Sequence, residues 1–287
     1  MSIFRDQAAT QGFEELFEIG EKLGEGAQSE VFKCLERETG KSYAVKVCKK
    51  HELEFFENVR ANYQILMELD HKSIIKGKFL FMNERKLACR IVMEFCEFPT
   101  LRQYMREHGP LSEERTSLIV SNLLDCLSYM DSKGVCHRDL KPENILYDPM
   151  TGELKIIDFE LARMRRYSHE KLGMLTKCGT LSYRAPEMFK GEYGIEVDMW
   201  AVGLITLEML TGEHPFRSSY SSETIRNICE KEIEYENLGL SKGAIKFVKK
   251  LLEKNNKKRL IPSQALSSSF ILRTEIKKKK ASSNSDK

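Results

Sequence analysis

Apolar residues in the first hundred positions fall into short alternating segments. Between residues 17 and 47 these segments are separated by glycine-bearing turns, a pattern that predicts three antiparallel strands joined as a meander. Residues 51–70 carry apolar positions at helical spacing, which predicts a helix. Two further strands are expected at residues 78–82 and 87–93. The first part of the chain should therefore form a small sheet with one main helix.

From Leu101 onward the apolar positions recur at helical spacing. A broad stripe at residues 118–130 predicts a core helix, and the nearly continuous apolar segment at 195–212 predicts a buried one. Three more helices are expected within residues 222–272. The change from strands to helices near residue 96 indicates a boundary between two lobes of one domain. The predicted fold class is α+β, with a small antiparallel sheet lobe and a larger, mainly helical lobe.

The ends of the chain differ from this body. Residues 1–16 are polar and mixed and are expected to be an extension, whereas four consecutive lysines mark residues 273–287 as a basic, disordered tail. No apolar run is long enough to span a bilayer, and the N-terminus lacks the apolar centre of a signal peptide. Eight scattered cysteines without Cys-x-x-Cys spacing favour a reducing compartment, the cytoplasm or the nucleus.

Residues 137–144 concentrate groups that can perform chemistry. They read His-Arg-Asp-Leu-Lys-Pro-Glu-Asn, and Pro142 cannot continue a helix, so the string is expected to be a loop. A second carboxylate, Asp158, ends an apolar-rich run fourteen residues after Asn144. A loop with Asp, Lys and Asn beside such a carboxylate can hold a metal-bound phosphate next to a hydroxyl group.

This string resembles the catalytic loop of eukaryotic protein kinases, H-R-D-L-x-x-x-N, at all five specified positions. Further motifs of that family precede it in order. Gly24, Gly26 and Val31 match the glycine-rich loop, although Ser29 replaces its third glycine. The strand segment Tyr-Ala-Val-Lys, which ends at Lys46, is similar to the V-A-I-K strand.

The resemblance covers residues 17–272 and implies a bilobal kinase fold. It implies an N-lobe at 17–93, a hinge at 94–97 and a C-lobe at 98–272. Lys-Pro-Glu-Asn in the loop and the later Gly-Thr-Leu-Ser-Tyr resemble serine/threonine kinases and not tyrosine kinases. The overall pattern is similar to calcium/calmodulin-dependent-type kinases. The implied reaction transfers the γ-phosphoryl group of ATP to hydroxyl groups of proteins, and nothing in the sequence indicates a nucleic-acid partner.

Each matching position takes a role from this resemblance. Asp139 would orient or deprotonate the acceptor hydroxyl, and Lys141 would neutralise the γ-phosphate. Asn144 and Asp158 would bind Mg²⁺, with Mn²⁺ as an alternative. The remaining implied nucleotide contacts lie in the glycine-rich loop, the adenine pocket and the hinge, and they are Leu23, Gly24, Gly26, Val31, Ala44, Lys46, Met93, Glu94, Cys96 and Leu146.

The segment at residues 158–187 resembles a kinase activation segment and ends in Ala-Pro-Glu. We hypothesise that Thr176 is an activating phosphorylation site and that Arg138 binds its phosphate. Thr180 is expected to contact the catalytic loop. Glu143 is expected to attract basic residues near the Ser or Thr that is phosphorylated in a substrate.

The resemblance also implies three contacts that support the fold. Glu187 should pair with Arg259. Asp198 should accept hydrogen bonds from the backbone of the catalytic loop, and His137, Phe159 and Leu66 should stack between the lobes.

Two positions depart from the kinase pattern. Asn62 stands where the family's helix carries a glutamate that pairs with the strand lysine, unless a shifted helix lets Glu57 substitute. Glu160 replaces the glycine of Asp-Phe-Gly and should stiffen that segment, because glycine tolerates more backbone conformations. These departures keep open a pseudokinase that acts as a nucleotide-binding scaffold. The intact Ala-Pro-Glu disfavours a small-molecule phosphotransferase of the same fold.

Overall fold

The computed structural model describes residues 12–26, 28–49, 52–83, 88–164, 181–189 and 193–272. The chain divides into two compact units, Met1–Glu97 and Phe98–Lys287. The first unit is built on a five-stranded antiparallel sheet and the second mainly on helices, which confirms the expected α+β class.

The N-terminal unit follows the alternation of its sequence. The three strands of the expected meander are present, and the two later strands lie close to their predicted positions. The strands are β1 Phe17–Glu25, β2 Ser29–Glu36, β3 Ser42–Cys48, β4 Gly77–Asn83 and β5 Ala88–Glu94. Their order across the sheet is β1-β2-β3-β5-β4. A short helix, α1 Phe13–Leu16, precedes β1, and the predicted main helix is α2 Leu53–Glu68.

Each face of this sheet has its own apolar core. One face buries an aromatic cluster in which Phe13 of α1 is 2% exposed and stacks on Phe17 with 5.4 Å between ring centroids. Helix α2 covers the other face and packs Phe56, Val59 and Tyr63 against β5. Burying a phenylalanine contributes roughly 1.5–3 kcal/mol. The folded unit therefore begins before residue 17, since part of the predicted extension belongs to the core.

The C-terminal unit contains the predicted helices and two small strand pairs. The helices are α3 Leu101–His108, α4 Glu113–Ser132, α5 Glu196–Thr211, α6 Ser221–Glu230, α7 Lys242–Leu251 and α8 Pro262–Leu266. The strands are β6 Val135–Cys136, paired with β9 Arg163–Met164, and β7 Ile145–Tyr147, paired with β8 Leu154–Ile156.

Helix α5 lies in the core of this unit, because every residue from Val197 to Leu210 is buried. Gly203 permits the close packing of α7, since a Cβ atom there would lie 2.7 Å from Leu252 Cδ2. The helix ends at Thr211 and is capped by Gly212, which is left-handed with φ 78° as a glycine allows. Within the described ranges no helix is both long enough and apolar enough to cross a membrane.

Asp198 lies near the start of α5 but does not cap it. The helix begins at Glu196, and Asp198 lies inside its first turn with only 1% of its surface exposed. Its carboxylate accepts hydrogen bonds from a distant segment of the chain and does not cap the helix end.

Candidate active site

The Asp198 carboxylate fixes the backbone of the loop at residues 137–144. Its Oδ2 accepts the N–H of His137 and its Oδ1 accepts the N–H of Arg138, both at 2.8 Å, which confirms the expected contact. Arg138 has a left-handed φ of 70°, a conformation that costs energy for a residue with a side chain. Burial raises the pKa of Asp198, while His137 and the two N–H donors act in the opposite direction.

The bend at Arg138 presents the Asp139 carboxylate. Asp139 Oδ2 accepts hydrogen bonds from Lys141 Nζ at 2.9 Å and from Asn144 Nδ2 at 3.0 Å. Its Oδ1 is buried and has no hydrogen-bond partner within the described part of the chain. A buried carboxylate oxygen without a donor is costly, so this atom is poised to accept a proton or a hydrogen bond from a bound group.

His137 connects this loop to the segment that carries Asp158. Its Nε2 lies 3.0 Å from the carbonyl oxygen of Ile157, and its Nδ1 accepts the N–H of Asp139 at 3.3 Å. Because a carbonyl can only accept, the proton is assigned to Nε2. The ring meets Phe159 edge-on with centroids 4.9 Å apart, so the expected contact between these two residues is confirmed.

Asn144 and Asp158 lie beside each other in the C-terminal unit. The N–H of Ile157 donates to the Asn144 carbonyl at 2.9 Å. Asn144 Nδ2 donates to both the carbonyl and the carboxylate of Asp139, so its amide oxygen is directed away from them. An amide oxygen and a carboxylate are hard ligands, and this pair fits a divalent cation.

The backbone conformation at Asp158 bears on the departure at Glu160. Among the described residues other than glycine, only Arg138 and Asp158 have positive φ, and the value at Asp158 is 66°. The strained position is therefore the aspartate. In this conformation the glutamate that replaces the family's glycine adds no left-handed strain.

Four predicted nucleotide contacts share one face of the N-terminal sheet. Val31 lies opposite Lys46, and Ala44 lies opposite Met93, in the strand registers. Residues directly opposite, or two apart in a strand, point to the same face. Gly24 lies opposite Val31, while Gly26 follows β1 and donates its N–H to the Ser29 carbonyl at 2.8 Å. Leu23, on β1, is 44% exposed.

Lys46 and Asn62 are both buried, at 7% and 6% exposure. Asn62 lies on α2, the helix that packs on the face that carries Lys46. Glu57 instead points outward, with 57% of its side chain exposed and an oxygen 4.0 Å from Arg60 Nη1. The buried position of this helix thus carries an amide and not a carboxylate.

The predicted hinge residues Glu94 and Cys96, and Leu146 of the predicted adenine pocket, occupy different elements. Glu94 is the last residue of β5, so the strand extends one residue into the expected hinge. Its carboxylate accepts the N–H of Lys76 at 2.8 Å. Cys96 is half-buried after the strand. Leu146 belongs to β7 of the C-terminal unit and forms an isolated bridge with Thr100.

Thr176 and Thr180 lie outside the described residues. Arg138, the predicted phosphate ligand, donates from Nη2 to the hydroxyl of Tyr193 at 2.5 Å and lies over its ring. Its Nε is buried without a hydrogen-bond partner within the described ranges. The ion pair of Glu187 and Arg259 is confirmed, with one of its two bonds at 3.0 Å.

A buried ionic cluster near Asp139 escaped the sequence reasoning. Arg102 Nε donates to Glu143 Oε1 and its Nη1 donates to Glu208 Oε1, both at 2.8 Å. The hydroxyl of Tyr183 is hydrogen-bonded to both Arg102 and Glu208. A signal existed in the sequence, because Glu208 is the one acid in the otherwise mostly apolar stretch 199–210, and acidic residues are rarely buried unless they are paired.

The pKa values of this cluster agree with an ion pair. Burial alone would raise the pKa of Glu208, but the hydrogen bonds from Arg102 and Tyr183 lower it overall. Burial also lowers the pKa of the neighbouring His214 to about 4. His214 stacks edge-on with Tyr183, and its Nδ1 accepts the N–H of Phe216 at 3.3 Å, so His214 is neutral at pH 7.

Comparison with known proteins identifies the class. Residues 17–271 match the protein kinase domain family. The chain is 38% identical to calcium/calmodulin-dependent protein kinase type IV of Rattus norvegicus, over 88% of the chain and 53% of that protein. It is 34% identical to Aurora kinase C of Mus musculus, over 87% and 89%. It is 30% identical to serine/threonine-protein kinase 33 of Mus musculus, over 91% and 55%.

The chain belongs to the protein kinase family, a family that uses ATP and a divalent metal ion. The resemblance to calcium/calmodulin-dependent-type kinases that the sequence motifs indicated is confirmed at the level of similarity. The chain spans about half the length of the type IV kinases it matches.

Burial of neutral His214 predicts a loss of stability in mild acid. In the unfolded chain His214 has a pKa of about 6.5, whereas in the folded protein its pKa is about 4. Between these two pH values only the unfolded chain binds the proton, so the free energy of unfolding falls as the pH is lowered through this window. Lowering the pH from 7 to 5 should cost about 2 kcal/mol through this group. Urea unfolding at both pH values measures it, and His214→Asn, which can keep an acceptor for Phe216, should lose less. Equal losses in both proteins would contradict the assignment.

Proposed function

We propose that the chain is a serine/threonine protein kinase that transfers the γ-phosphoryl group of ATP to protein hydroxyls. The observation that carries the proposal is the Asp139 carboxylate, with Oδ2 engaged by Lys141 and Asn144 and Oδ1 without a donor in the described part of the chain. A hydroxyl group of a substrate can donate to that oxygen. The carboxylate then orients the hydroxyl and accepts its proton as the new O–P bond forms, while the bond from the γ-phosphorus to the bridging oxygen breaks and ADP leaves.

Lys141 and Lys46 supply positive charge in this proposal. Phosphoryl transfer requires positioning and charge stabilisation more than covalent participation by the protein. Lys141, bonded to Asp139, is proposed to stabilise the transferred group, and Lys46 is proposed to hold the α- and β-phosphates. The backbone at Gly24 and Gly26 is proposed to cover the phosphates.

The apolar members of the nucleotide site are proposed to bind adenine. The shared face of Val31, Ala44 and Met93 supports this role for the N-terminal unit. Leu23, Leu146 and the segment with Glu94 and Cys96 complete the proposed set.

We propose Mg²⁺ as the metal, held by the amide oxygen of Asn144 and the carboxylate of Asp158, with Mn²⁺ as an alternative. Such an ion would offset the charge of the phosphates. The orientation of the Asn144 amide by Asp139 supports this assignment, because it leaves oxygen as the outward atom.

Ser and Thr are the proposed acceptors, and the similarity to serine/threonine-protein kinase 33 of Mus musculus supports this choice. We propose that Glu143 also favours substrates with basic residues near the acceptor, because 45% of its side chain is exposed four residues beyond Asp139. The scattered spacing of the eight cysteines supports a reducing location, the cytoplasm or the nucleus.

A pseudokinase scaffold is the second candidate function, and the buried Asn62 favours it. In most family members a glutamate at that position pairs with the strand lysine and aligns it, and an asparagine cannot form that ion pair. The groups around Asp139 weigh against this candidate, since each would contact substrate or metal directly.

Replacing Asp139 by Asn should separate these candidates. The amide cannot accept the proton, so we expect the rate of transfer to fall about 100- to 10,000-fold. Transfer of radiolabelled phosphate to a generic basic protein measures it, with Asp70→Asn as the control because that side chain is 89% exposed. Equal signal from wild type and Asp139→Asn, together with retained nucleotide binding in a thermal-shift assay, would favour the scaffold.

We also propose that phosphorylation of Thr176 activates the chain through Arg138. The Nε of Arg138 is buried and has no hydrogen-bond partner among the described residues, and the same guanidinium donates to the Tyr193 hydroxyl. This supports a guanidinium that can still bind an anionic group. Thr180 is proposed to contact the catalytic loop.

Loss of the Thr176 hydroxyl should therefore lower activity. Protein phosphorylated at Thr176 should exceed Thr176→Ala on the order of tenfold, since a charge-assisted hydrogen bond contributes about 1.5–3 kcal/mol. Peptide phosphorylation rates, with phosphate located by mass spectrometry, test this against Ser168→Ala from the same segment. Full activity of Thr176→Ala in protein without phosphate would refute the proposal.

A further inference from the structure

Arg102 is held firmly at the start of α3. Thr100 caps the helix through its hydroxyl, which accepts the Gln103 N–H at 3.1 Å, and the Gln103 side chain accepts the Thr100 N–H at 2.7 Å. This reciprocal capping box fixes the first turn of the helix. The Arg102 side chain is 13% exposed, and its guanidinium forks between Glu143 and Glu208.

The two carboxylates that bind Arg102 differ in environment. The side chain of Glu208 is only 4% exposed and also bonds the Tyr183 hydroxyl, so it needs the guanidinium as a partner. The side chain of Glu143 is 45% exposed, and exposed ion pairs are weak. Arg102 is therefore anchored by Glu208, while its bond to Glu143 can be exchanged for another cation.

The formal charges of the cluster cancel once Arg217 is included. Arg102, Glu143 and Glu208 sum to −1, and Arg217 Nη2, 3.9 Å from Glu208 Oε1, brings the sum to zero. A carboxylate near Asp139 that already pairs with a guanidinium attracts a second cation less strongly than a bare one. A basic side chain of a substrate must compete with Arg102 for Glu143.

We propose that Arg102 is a specificity-determining residue that occupies Glu143 from within the chain and thereby weakens the selection of basic residues in protein substrates. The proposal rests on the proposed kinase function. In this proposal Arg102 and a basic side chain of the substrate compete for the Glu143 carboxylate. Weakening the bond between Arg102 and Glu143 should therefore strengthen the preference for basic substrates.

Arg102→Lys is the informative variant. A lysine can still neutralise buried Glu208, but it lacks the planar fork that reaches both carboxylates. Two Ser-containing peptides that differ only by Arg or Gln three residues before the acceptor serve as probes. The ratio of their kcat/KM values should rise about three- to tenfold over wild type. Arg106→Lys, an exposed arginine on the same helix, is the matched control and should leave the ratio unchanged.

Glu143→Gln completes a double-mutant cycle. In wild type Glu143 is already neutralised, so Glu143→Gln should change the ratio less than twofold, and in the Arg102→Lys background it should abolish the rise. The proposal is overturned if Arg102→Lys leaves the ratio unchanged, or if Glu143→Gln alone removes a large preference. The second outcome is measured in Glu143→Gln alone, so the proposal can be tested even if Arg102→Lys does not fold.

Peptide binding separates this proposal from the proposed function. The Kd ratio of the same two peptides, measured by fluorescence anisotropy, should shift in the same direction as the kcat/KM ratio. Absence of phosphoryl transfer from wild type to either peptide, with a shifted Kd ratio, counts against the kinase function alone. An unchanged Kd ratio in folded Arg102→Lys counts against the role of Arg102.

Discussion

Two hydrogen bonds to the Asp198 carboxylate hold the catalytic loop in a conformation that it would not adopt by itself. The N–H groups of His137 and Arg138 converge on this buried acid, and Arg138 is left-handed as a result. A left-handed residue of this kind costs on the order of 1–3 kcal/mol and persists only where its surroundings over-determine it. The orientation of Asp139, and through it that of Asn144, depends on this anchor.

Helix α5 carries both Asp198, which holds the catalytic loop, and Glu208, the buried acid of the ionic cluster. Asp198 in its first turn faces the catalytic loop, while Glu208 near its end binds Arg102. Both acids are buried in a mostly apolar helix, where a charged group is retained only if it is paired or hydrogen-bonded. One rigid element therefore positions the groups proposed for catalysis and those proposed for substrate selection. The departures at Asn62 and Glu160 lie outside α5, on α2 and two residues after Asp158.

Local patterns predicted most of the fold, whereas long-range contacts were harder to foresee. Alternation predicted the strands because side chains alternate faces, and the resemblance to protein kinases predicted the contact of Asp198 with the loop. Phe13 was missed because four residues of polar-flanked helix carry little periodicity. Arg102 was missed because its partner Glu208 lies 106 residues away, and no local pattern encodes such a contact. The roles of Thr176 and Thr180 stay predictions, since both lie outside the described residues.

Amide hydrogen exchange at His137 and Arg138 tests the central claim most directly. If the Asp198 carboxylate holds both N–H groups, they should exchange among the slowest amides of the C-terminal unit, because they open only with α5. In Asp198→Asn, which loses one acceptor and the charge, these two amides should exchange selectively faster while the amides of α4 stay protected. Rapid exchange in wild type, or equal protection in Asp198→Asn, would contradict the account.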